Sequence, residues 1–116
     1  MSLVLLPLLA AITQPVAKLS PETTADLRCA AVFAYTAGSV KEEDQPGVVG
    51  GFLYFLGKID ARSPGLDLEA NLTGMLTKGD FKTAILDPYG MACAKELEVR
   101  GSEISKVGKA LSAKGM

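Results

Sequence analysis

The stretch Gly50-Gly51-Phe52-Leu53-Tyr54-Phe55-Leu56-Gly57-Lys58-Ile59-Asp60-Ala61-Arg62-Ser63-Pro64-Gly65 decides how the chain is read. An apolar run passes into alternating charged positions and stops at Pro64-Gly65. Three readings compete: a membrane segment, a glycine loop for phosphate, and a buried helix with a polar end. A membrane span needs about 20 consecutive apolar residues, and this run is too short. A phosphate loop carries Lys-Ser/Thr after its last glycine and follows a strand. Gly47-Val48-Val49-Gly50-Gly51 has neither feature. A short apolar, aromatic run also suits a strand, but Val48, Val49, Phe52, Leu53, Leu56 and Ile59 fall on one broad helical face. Helix is therefore expected. Gly50 and Gly51 each disfavour it by about 1 kcal/mol relative to alanine. The pairs Gly47/Gly51 and Ala30/Ala34 are expected to let neighbouring helices approach closely.

The polar end holds a candidate cluster, Lys58, Asp60 and Arg62. Lys58 and Arg62 are four apart and share a face, whereas Asp60 points elsewhere. Arg62 lies where a helix C-terminus favours a cation able to bond the last carbonyls. A solvated or capping role is expected for the cluster in preference to ligand binding.

Working outward, Ser20-Pro21-Glu22 offers an N-cap, a proline at the first helical position and an acid near the positive end of the helix dipole. Leu27, Ala30, Ala31, Ala34 and Tyr35 then recur at helical spacing up to Gly38. Asp67 is expected to cap a short helix with Leu68, Leu72, Met75 and Leu76 inward. Asp80 starts another turn or two, and Asp87-Pro88 repeats the cap-plus-proline start of a last helix reaching about Ala113. In that helix Gly90, Ala94, Leu97, Gly101, Ile104, Gly108 and Leu111 alternate in steps of four and three, a heptad-like seam. A core face is the expected use of the seam, ahead of an intermolecular coiled coil. Glu96 with Arg100, and Glu103 with Lys106, are spaced to pair along the helix. The fold class expected is all-α: a single-domain bundle of four to five helices.

Residues 1–17 contain no charged side chain. Leu3 to Ile12 resembles the apolar core of a secretory signal, although the usual basic start is missing. The division expected is a signal-like apolar leader or N-terminal helix over 1–17 and a helical domain over 18–116. No stable membrane span is expected, because Pro7, Thr13, Gln14 and Pro15 interrupt the run.

The chain has 12 basic and 13 acidic residues, so no excess of positive charge points to nucleic acid. It has no histidine, which removes His-dependent triads and His-containing metal sites. No carboxylate dyad or metal cluster emerges. Catalytic residues, metal ligands and cofactors are therefore assigned as none, and a non-enzymatic role is expected. The two cysteines, Cys29 and Cys93, both fall toward the core sides of their helices. A disulfide is expected if the chain is exported, with buried free thiols as the alternative.

Asp26-Leu27-Arg28-Cys29, the run Tyr54 to Arg62, Pro64, Asp67-Leu68 and the second cysteine together resemble small exported helical proteins of alphaproteobacteria that have no established activity. The layout is more loosely similar to the periplasmic acid-stress chaperones, small helical proteins with one disulfide bridging two helices. The resemblance implies a periplasmic or secreted location, with the cytoplasm as the alternative. The function expected is binding of a protein partner, self-association or support of envelope structure. An acid-stress chaperone and a carrier of a small apolar ligand, held near Phe52, Tyr54 and Phe55, are the alternatives.

Overall fold

The structure, a computed structural model, describes residues 19–116, and the expectation of a leader or N-terminal helix over 1–17 lies outside them. Among the described residues there are four α-helices and no strand: α1 (Pro21–Ala37), α2 (Gln45–Arg62), α3 (Leu68–Leu76) and α4 (Asp87–Ala113). A short 3-10 turn, Glu42–Asp44, leads into α2, and a π-helical turn, Lys82–Leu86, leads into α4. The all-α reading holds, and the contested Gly50–Arg62 stretch is helix throughout.

The local signals act as their chemistry requires. The Thr23 amide donates to Ser20 Oγ at 3.1 Å, and Pro21 fills the first turn of α1, where no amide partner is needed. The Ala70 amide donates to Asp67 Oδ1 at 3.0 Å at the start of α3. Asp87 behaves differently from the expected cap. Its backbone is already helical and its side chain caps nothing, because the chain runs unbroken from the π turn into α4. Pro88 has no N–H to offer one turn back and its ring crowds that turn. A widened turn immediately before it accommodates both.

Helices α1 and α2 form an antiparallel hairpin. Thr23 near the start of α1 meets Ser63 just past the end of α2, with their hydroxyls 3.0 Å apart. Phe33, further along α1, stacks on Phe55 of α2 at 5.8 Å between ring centroids. At the turn that joins the two helices, Gln45 Nε2 donates to the Ala37 carbonyl at 2.7 Å. The core is built from Leu27, Ala30, Ala31 and Val32 of α1, Phe55 and Ile59 of α2, and Leu72, Phe81 and Cys93 from the remaining elements. The buried line of α2 thus runs Val48, Gly51, Phe55, Ile59. Val49 and Leu53, expected inward, are exposed instead.

Cys29 and Cys93 bring α1 and α4 together, with their sulfurs at a bonding distance of 2.09 Å and 64 residues between them along the chain. Closing a loop of that length removes enough unfolded-state freedom to contribute about 4 kcal/mol. Beside it, the Arg28 guanidinium lies over the Tyr89 ring at 4.2 Å, a second tie between the same helices.

Gly51 is a true close approach. A Cβ there would lie 2.5 Å from the Phe33 ring and 2.9 Å from Leu97 Cδ2, whereas one at Gly50 meets nothing within 4 Å. The two neighbouring glycines therefore separate under substitution. Gly51→Ala overpacks the α1–α2–α4 junction and should lower stability by about 1–3 kcal/mol. Gly50→Ala gains helix propensity and should raise it by up to about 1 kcal/mol. Urea unfolding of both variants checks this pair of opposite signs.

Candidate interaction surface on the last helix

The polar end of α2 is brought together with an acid of α1. Asp26 lies on the buried side of α1 between Thr23 and Ala30, and its side chain is only 5% exposed. Lys58 Nζ sits 2.9 Å from Asp26 Oδ1, and Arg62 Nη1 bonds Asp26 Oδ2. The candidate cluster Lys58, Asp60, Arg62 therefore resolves into two cations gripping Asp26, with Asp60 exposed and apart. Arg62 ends α2 as expected, but its guanidinium is committed to Asp26.

Lys58 extends the network to α4. Its ammonium also bonds Glu96 Oε2 at 2.6 Å, and the Tyr54 hydroxyl donates to the same oxygen at 2.7 Å. Glu96 thus pairs across helices, and Arg100 pairs instead with Glu103 at 2.9 Å while its Nε donates to the Tyr54 hydroxyl at 3.3 Å. The expected Glu96–Arg100 pair gives way to contact of Glu96 with Lys58 and Tyr54 on α2, and Arg100 pairs along the helix with Glu103 instead. Burial works against the Lys58 charge, but bonds to Glu96 and Asp26 outweigh it and raise its pKa. Burial likewise works against the Glu96 carboxylate, but bonds from Lys58 and Tyr54 outweigh it and lower its pKa. The Arg100 guanidinium is held more firmly protonated by its bonds to Tyr54 and Glu103. No buried side-chain nitrogen or oxygen among the described residues lacks a partner. The network is a closed fastening that ties α1, α2 and α4 at one level.

Beyond that level α4 leaves the bundle. A helix rises about 1.5 Å per residue, so the part from Gly101 to Ala113 extends about 20 Å, and every residue of it is exposed. The heptad-like seam divides here. Gly90 and Leu97 are half-buried against the bundle, whereas Gly101, Ile104, Gly108 and Leu111 are exposed. The expectation of a core face therefore fails for the second half, because no described element covers that part of α4. Ile104 is 74% exposed and Val107 59%. With Gly108, Leu111, Arg100, Glu103 and Tyr54 they line a groove of about 630 Å³.

The expected ligand pocket near Phe52, Tyr54 and Phe55 is not a shared one. Phe55 is fully buried, Tyr54 faces the α4 groove, and Phe52 lines a separate hollow of about 220 Å³ with Phe33 and Val48. Among the described residues no group of acids and cysteines is arranged to hold a metal, and no helix is long and apolar enough to cross a membrane.

Asp26→Ala should cost about 3 kcal/mol, toward the lower end for breaking a buried pair, because Lys58 and Arg62 can regain water. Glu96 supplies the pH dependence. Its lowered folded-state pKa means that its contribution is present above the ordinary carboxylate value of 4.5 and is lost as pH falls through the folded value. Glu96→Gln should flatten the fall of melting temperature in acid, and melting curves across that range give the comparison.

Comparison with protein-family models, with curated proteins and with solved structures gave no match.

Proposed function

We propose that this chain is a non-enzymatic helical protein that binds a protein partner through the projecting half of α4. One observation carries the reading: Ile104, Val107 and Leu111 stand exposed on one side of a helix that the bundle anchors firmly but does not cover. Monomeric proteins seldom leave a contiguous apolar surface rimmed by charges without a use for it. The rim here is Arg100 and Glu103. A helix presenting anchors at three- and four-residue spacing suits a helical partner. An exported, oxidising location fits the Cys29–Cys93 pair.

A photo-crosslinking side chain placed at Val107 tests the reading in cells that make the protein. Protein adducts are expected there and absent from the same probe at Glu43, which is exposed in the turn between α1 and α2. Equal labelling at both positions, or no protein adduct at Val107, removes the reading.

A second reading, an acid-stress chaperone, is favoured by the fastening at Glu96. Protonating that carboxylate weakens the tie between α4 and α2, and acid leaves the 12 cations without their 13 counter-charges. Suppression of client aggregation should then appear below the pH at which Glu96 protonates. Absence of any suppression in acid, where the fold has demonstrably loosened, excludes it.

A further inference from the structure

The exposed stripe of α4 also carries information about its occupant, on the premise that the stripe is the binding face proposed for it. We propose that the occupant is a second copy of this chain, its α4 lying antiparallel across the first. Three observations converge on this arrangement.

The first is register. When the helices are opposed so that Gly101 faces the second copy's Leu111, Ile104 necessarily faces the second copy's Gly108. Two-fold symmetry repeats both layers in reverse. Every layer then sets a glycine against a branched side chain, the small-against-large filling that lets helices pack closely. A parallel pair would set glycine on glycine and isoleucine on isoleucine, alternating gaps with crowding.

The second is charge. Glu98, Arg100 and Glu103 lie in the nearer half of the segment, which is net acidic with Arg100 held by Glu103, whereas Lys106, Lys109 and Lys114 occupy the farther half. Antiparallel pairing brings the acidic half of each helix beside the basic half of the other, with Glu98 and the second copy's Lys109 on one edge. Parallel pairing brings lysines beside lysines.

The third is space. A Cβ at Gly101 or Gly108 meets nothing within 4 Å, so nothing in the described fold calls for glycine at either position. Glycine is nonetheless an unfavourable helix residue, and a helix approaching along this face supplies a reason for both. The second copy's Leu111, seated at Gly101, would also enter the groove beside Tyr54. The contact spans only a few helical turns, which places it below the roughly 1,200 Å² of a standard interface. Association is therefore weak and is read at high concentration.

Sedimentation velocity and light scattering on the full chain, from about 1 μM to 1 mM to bracket a weak interface, provide the test. The mass should climb from 12.1 kDa toward twice that value. Gly101→Leu should leave the single chain folded, as circular dichroism and melting will show, yet weaken association by about tenfold or more through a clash with the second copy's Leu111. Glu98→Lys should weaken association and Lys109→Glu, added to it, should restore it, a rescue that only the antiparallel pair permits. A chain that stays monomeric throughout overturns the proposal, as does a dimer indifferent to Gly101→Leu and Glu98→Lys. A monomer whose Val107 probe still captures a different protein overturns the second copy alone and leaves the binding face standing. A monomer in which residues 1–18 of the same chain cover Val107 overturns both.

Discussion

The arrangement of the helices depends on one carboxylate taken out of water. Asp26 faces inward on α1 among alanines and leucine, where an unpaired charge would be severely penalised. Two cations from the last turns of α2 answer it, and they can do so only if α2 runs antiparallel to α1 in a single register. Sliding α2 by one turn would carry Lys58 and Arg62 past Asp26. Apolar packing between Phe33 and Phe55 is far more tolerant of such a slip. The ion pair adds little net stability once its desolvation is counted, but it discriminates between neighbouring registers that the apolar surfaces alone would not separate.

The same cation carries the specification to the third helix. Lys58 is shared between Asp26 and Glu96, so the placement of α4 is read from the placement of α1 through one ammonium. The covalent tie at Cys93 lies one turn before Glu96. Sulfur and charge therefore fix both position and rotation of α4, and its exposed stripe faces the Tyr54 side as a result.

Much of this is legible in the residues. The caps at Ser20 and Asp67 and the helical character of Gly50–Arg62 follow from local chemistry that tertiary context does not override, and the cysteine pairing, expected for an exported chain, agrees with the core-side placement of both residues. Asp60 standing apart from Lys58 and Arg62 follows from helical spacing. The orientation of α2 is not legible. In an almost unbroken apolar run several faces are equally hydrophobic, so Phe55 and Leu53 exchange roles without altering the pattern. The role of Asp26 escapes the sequence reading, although a signal exists: it sits three after Thr23 and four before Ala30, on the apolar side, with two same-face cations elsewhere lacking an acid. The outward course of α4 leaves no local mark, because a core seam and an interface seam have the same spacing.

The junction of anchored and free segments within α4 also sets a gradient in local stability. Up to Glu96 an amide can exchange its hydrogen only if the disulfide-linked bundle itself loosens. Past Gly101 only the helix's own hydrogen bonds resist opening, and two glycines weaken them. The tip should fray and reform on a far shorter timescale than its base, so a partner seated there as proposed would meet an ensemble and complete the helix on arrival. If the face binds as proposed, its binding strength is tuned by helix propensity at positions away from the seam, such as Ser102.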